Sequence, residues 1–150
     1  MPKSASLKLD RFVPYRMSVA SNLVSDVIAR AYRTLFGLSV PEWRLVAVLA
    51  ERGRISQLEL GSATRMDKVT VSRAAIALVE RGLLETASNP LDKRSRLLAL
   101  SESGAEVYAQ VAPKALELER VLLAEFSEEE IEVLTAMLLR LEAAAARVGS

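Results

Sequence analysis

The sequence predicts a mainly α-helical chain with a small β-hairpin, and three observations lead there. Apolar residues recur at three- and four-residue steps along most of the 150 residues. S-x-x-E helix starts stand at Ser39, Ser56 and Ser127. From Leu83 to Ser101 the period drops to two on either side of a turn. The length suits one domain over 1–150 with a real core.

The first helix is "PYRMSVASNLVSDVIARAYRTLFG", with Val19, Leu23, Val27, Ala31 and Leu35 at helical spacing, Pro14 near its start and Gly37 as a left-handed end residue. The second, "SVPEWRLVAVLAERG", pairs Ser39 with Glu42 so that hydroxyl and carboxylate satisfy backbone donors reciprocally, and ends at Gly53. After a short extended "RIS", Ser56 and Glu59 open a helix of about two turns reaching Ala63.

Asp67 then caps a helix that puts Val71, Ala75 and Leu78 on one face and Val69, Arg73, Ile76 and Glu80 on the other, stopping at Gly82. "LLETAS" and "SRLLALS" read as strands around the turn "NPLDK", with Leu98 and Leu100 on one face. Ser101 caps a fifth helix, expected to bend at Pro113, and Ser127 opens a leucine-rich last one.

Composition removes several function classes. Cysteine and histidine are both absent, which excludes disulfides, thiol redox switches and His- or Cys-based metal sites and catalysis. No Gly-rich phosphate loop or paired-carboxylate motif stands in for them, so the chain is expected not to be an enzyme and to need no cofactor or metal. "MPKSASLKLDRF" lacks the apolar core of a signal peptide, and charges interrupt every apolar stretch before membrane-spanning length, so a cytoplasmic protein without membrane contact is expected.

The net charge of +1 hides a segregation. Residues 52–98 hold nine Lys or Arg against five acids, whereas residues 101–150 hold four against ten. A basic working part and an acidic part with another role follow from this. A hydrophobic content of 51% is high for a monomer of this size and suggests oligomerisation.

Two short helices joined by a tight turn and followed by a hairpin have the order of a winged helix-turn-helix, here about 38–101. On its second short helix, Lys68 and Arg73 can reach phosphates or guanine edges, Thr70 and Ser72 can bond phosphates or bases, and Val69 can touch a thymine methyl. An ordinary solvated helix would show the same pattern. The hairpin tip adds Lys93, Arg94 and Arg96, which suit DNA backbone and minor groove, with Asp92 placed to orient Arg94. Charge that guards a sheet edge is the alternative there.

The segment "MDKVTVSRAAIALVERGLLETASNPLDKRSRLLALSESG" closely resembles the MarR family of bacterial transcription regulators. The most specific part is the wing-to-helix join, with Asp92, Arg94, Leu98, Leu100, Ser101 and Gly104, and the likeness extends over almost the whole chain. The resemblance implies a homodimer with dimerisation helices at about 9–36 and 102–147, presenting two winged domains to a pseudo-palindromic operator in double-stranded DNA.

It puts Lys68, Thr70, Ser72 and Arg73 in the major groove, Arg94 in the minor groove, and Ser56 and Gln57 near phosphate. It also implies a crevice for a small effector, an aromatic acid or acyl thioester, bordered by segments that hold Tyr15, Arg16 and Trp43; packing in the core is the alternative for Trp43. A repressor released by such a ligand is the leading expectation. A winged module that binds protein through Arg94 and Arg96 is its rival.

Overall fold

The computed structural model describes residues 5–150; the reading of the N-terminus thus lies partly outside the described residues. The chain forms two compact units, one ending at Lys114 and the other running from Ala115 to Ser150.

In the first unit, a 3-10 turn at Leu9–Arg11 precedes α1 (Val13–Phe36), followed by α2 (Val40–Arg52), β1 (Ile55–Ser56), α3 (Gln57–Thr64) and α4 (Lys68–Glu80). Strands β2 (Leu84–Ser88) and β3 (Arg96–Leu100) lead into α5 (Glu102–Leu122). The first helix, expected with Pro14 near its start, begins at Val13. Pro14, in the first helical turn, needs no donor there and sets that start. Gly37 closes α1 in the left-handed conformation at φ 63°.

Ser39 and Glu42 form the full reciprocal cap of α2, with the Ser39 amide donating to Glu42 Oε1 at 2.9 Å and the Glu42 amide to Ser39 Oγ at 3.2 Å. At Ser56 only half of it forms: the Glu59 amide donates to Ser56 Oγ at 3.1 Å, and the Ser56 hydroxyl donates to the Glu59 carboxylate. Ser56 also belongs to β1, which pairs with β3 through Ile55↔Leu98 and Ser56↔Leu97. The expected hairpin is therefore part of a three-stranded antiparallel sheet in the order β1-β3-β2, with β3 central.

The core of this unit gathers Leu45, Val46 and Leu49 of α2, Leu60 of α3, Val71, Ala74, Ala75 and Leu78 of α4, and Leu98 of β3. These are the apolar positions of the helical and two-residue periods, and their burial fixes α4 and the wing against one support. Arg81 adds a polar tie, donating to the carbonyls of Gly37 at 3.0 Å and Phe36 at 3.3 Å, where the end of α1 leaves acceptors open.

The joint from wing to α5 is tight. The Ser101 amide donates to the Leu83 carbonyl at 3.0 Å, its hydroxyl donates to the Gly82 carbonyl at 2.6 Å, and the Gly104 amide donates to Ser101 Oγ at 3.0 Å. Gly104 is buried so close to Leu83 that a Cβ would overlap the Leu83 carbonyl oxygen. The L-[ST]-x-x-G pattern thus serves to dock a helix N-terminus on the turn that leads into the wing.

Helix α5 runs through Pro113 as one helix. In the second unit, α6 (Glu128–Val148) starts with a full reciprocal cap between Ser127 and Glu130 and has no buried residue.

Candidate nucleic-acid interface

Helix α4 owes its start to Asp67, whose carboxylate accepts from the Thr70 amide at 2.8 Å and the Thr70 hydroxyl at 2.9 Å. These two bonds hold the Asp67 carboxyl below its usual value of 3.8. Because the folded group titrates lower than the unfolded one, the cap is complete above that usual value and is lost as pH falls through the lower folded one. Thr70 amide exchange should accelerate in step with an Asp67 titration whose midpoint lies below 3.8; a midpoint at or above it would remove the cap from this account. Between α3 and α4 the turn passes through Arg65 at φ 55°.

The wing tip is ordered by the backbone bonds Asp92 N–H to Asn89 O and Ser95 N–H to Asp92 O and by two bonds to side chains. The Leu91 amide donates to Asn89 Oδ1, and the Arg94 amide donates to Asp92 Oδ1, both at 3.0 Å. Arg94 Nε lies 3.6 Å from the same Asp92 oxygen, and the Arg94 side chain is 95% exposed. Asp92 therefore directs Arg94 mainly through the backbone, since an exposed ion pair at that distance adds little. Arg96 Nη2 donates to Thr86 Oγ1 at 2.9 Å, which lays its side chain along the neighbouring strand.

Helix α3, the start of α4 and the wing enclose a cleft. Among the expected residues, Gln57, Lys68, Ser72, Asp92, Arg94 and Arg96 line it. Thr70 and Arg73 instead border a shallow hollow on the side of α4 that faces the start of α2, and Val69 is exposed. Lys93 is exposed at the wing tip. Ser56 is 5% exposed and its hydroxyl is committed to Glu59, so its part in this arrangement is to start α3 and leave Gln57 facing the cleft. Leu58, Gly61 and Ser62 also line the cleft. Leu58 is the next residue after Gln57, and Gly61 and Ser62 follow four residues after Gln57 and Leu58, the helical spacing that could have found them.

The three residues expected at an effector crevice separate. Arg16 lies over the ring of Tyr15, 5.3 Å from its centroid, near the start of α1. Trp43 packs edge-on against Tyr32 at 5.6 Å and stacks on Tyr108 at 5.8 Å, an aromatic row joining α1, α2 and α5. Tyr32 is buried, and burial pushes its hydroxyl pKa up.

Comparison with known proteins agrees with this geometry. A MarR family model matches residues 36–95. The chain is 32% identical over 125 residues to the HTH-type transcriptional regulator PecS of Dickeya dadantii (strain 3937), covering 79% of this chain and 75% of PecS. It superposes on a MarR/EmrR family transcriptional regulator from Acinetobacter sp. ADP1 with a TM-score of 0.84 and 29% identity, over 94% of this chain and 99% of that one. The fold is shared as well by Sco3205 of Streptomyces coelicolor, a MarR family regulator crystallised with DNA, at a TM-score of 0.81 and 23% identity over 94% of this chain and 90% of that one. Members of this family are transcriptional regulators and not enzymes. With its capped α4, its basic wing and these relatives, the chain belongs to the MarR family of winged helix-turn-helix transcriptional regulators.

Proposed function

We propose that this chain is a single functional domain, working as a homodimeric repressor that binds a pseudo-palindromic operator in double-stranded DNA and leaves it when a small ligand binds. The observation that carries the reading is the cleft where Lys68, Arg94 and Arg96 come together from a helix N-terminus and a wing. Three cations so arranged neutralise phosphates, while Ser72 and Gln57 beside them offer hydrogen bonds to backbone or bases. The DNA complex of Sco3205 supports a duplex as the partner.

Two helices support the dimer. On α1, Leu23 is 63% exposed and Val24, Val27 and Leu35 are exposed with it; on α6, Leu139 is 62% exposed among Val133, Met137 and Leu138. Apolar stripes of this length call for a cover, and the acidic α6 makes poor DNA surface. Two copies would set their recognition helices about 34 Å apart, one turn of DNA. A ligand that favours another separation would release the operator. Tyr15 and Arg16 supply a ring and a cation that suit an aromatic carboxylate. No helix among the described residues is long and apolar enough to cross a membrane.

Selection of bound sequences from random duplexes by the purified protein tests the reading. Enrichment of a palindromic site, bound by two chains with steep salt dependence, is the expected result. Binding without a preferred sequence, or none, would favour a winged module that meets acidic proteins through Arg94 and Arg96.

A further inference from the structure

Arg65 is the one described residue other than glycine with a positive φ, 55°. Left-handed geometry brings Cβ too close to the following carbonyl oxygen, a conflict that glycine would not have. The position ends α3 in the turn before α4, where glycine would meet the backbone requirement. The chain places a long, exposed cation there instead, and its guanidinium makes no hydrogen bond or ion pair with any described residue. Contacts among the described residues thus give no reason for the strain.

The surroundings supply one. Gly61 and Ser62, one turn before Arg65, and Met66, Asp67 and Lys68, directly after it, line the same cleft as Arg94. Arg96 is bonded to Thr86 and Arg81 to the end of α1, whereas Arg65, like Arg94, is exposed. We propose that Arg65 is a DNA-backbone contact, a cation kept in a strained turn so that its guanidinium meets a phosphate beside the recognition helix. The inference rests on the duplex-binding reading above and adds a residue to its interface. Strain of this kind persists where function requires the side chain, even when another residue would suit the fold better.

A phosphate contact carries no sequence information, so its loss weakens all duplexes alike and lowers the salt dependence. The test titrates wild type, Arg65→Gly and Arg65→Lys with the selected duplex and with a scrambled duplex of equal length, over a series of salt concentrations. Arg65→Gly should weaken both duplexes by one common factor, roughly three- to tenfold at low salt, and reduce the slope of log K against log salt by about 0.9 per bound protomer. Arg65→Lys should restore the slope. The thermal midpoint of Arg65→Gly should equal or exceed that of wild type, which separates lost affinity from lost fold.

Equal slopes for wild type and Arg65→Gly would overturn the proposal. A loss confined to the selected duplex would also overturn it, because Arg65 would then read a base. Wild-type protein that binds neither duplex would instead remove the functional reading itself, an outcome visible without any variant.

Discussion

Gly104→Ala is expected to destabilise the protein by about 3 kcal/mol, the upper end of ordinary overpacking, and to lower its thermal midpoint by roughly 10 °C. The direction is informative because the same change inside an exposed helix stabilises by about 1 kcal/mol. Here the added Cβ would overlap the Leu83 carbonyl oxygen and crowd Leu100 Cδ2 at 3.2 Å. The helix N-terminus cannot retreat freely, because Ser101 is bonded to the carbonyls of Gly82 and Leu83. Moving α5 outward would break those bonds and uncover Leu83, which is buried.

Ser103→Ala, at an exposed neighbouring position, serves as the control and should shift stability by no more than about 0.5 kcal/mol. Thermal unfolding followed by circular dichroism reads both variants. A Gly104→Ala protein as stable as wild type would mean that α5 slides off the wing without cost, and the close approach would then not explain the glycine.

Much of this fold was legible because its signals are local. The pairs Ser39–Glu42 and Ser127–Glu130 mark helix starts through bonds spanning three residues, and both form fully. Asp67 and Gly37 are equally local, and the two-residue period of β3 announces the burial of Leu98.

What stayed hidden depends on residues distant in sequence. A two-residue strand such as Ile55–Ser56 has no period to detect, so its pairing with β3 appears only once the chain is folded. That pairing also puts Ser56 in the sheet, which accounts for the half-formed cap. Trp43 could be read as a ligand contact because its partners, Tyr32 and Tyr108, lie on other helices. In the candidate interface, charge and spacing marked Lys68, Arg94 and Arg96, which do meet around one cleft. The same reading could not separate them from Thr70 and Arg73, which face the other side of α4. Nor could it find the left-handed turn at Arg65, since no residue type there announces it.

Arg94→Ala should weaken binding to the selected operator by about 1–3 kcal/mol, roughly 5- to 150-fold, while leaving the thermal midpoint near that of wild type. Both halves follow from the 95% exposure of this side chain: it packs against nothing whose loss would matter to the fold, and it is available to lose water against a groove. Arg94→Lys should recover only part of the loss, because an ammonium keeps the charge without the planar fork.

Asp92 separates the two ways in which the tip can be held. If its main role is to accept the Arg94 amide, Asp92→Asn keeps that acceptor, removes a negative charge near phosphate, and should bind as well as wild type or better. Asp92→Ala loses the acceptor, loosens the backbone at Arg94 and should bind less tightly. Fluorescence anisotropy with a labelled operator reads all four variants. If Asp92→Asn were as weak as Asp92→Ala, the 3.6 Å ion pair would be the grip that matters. An unchanged affinity for Arg94→Ala would take Arg94 out of the interface and leave Lys68 and Arg96 as its cations.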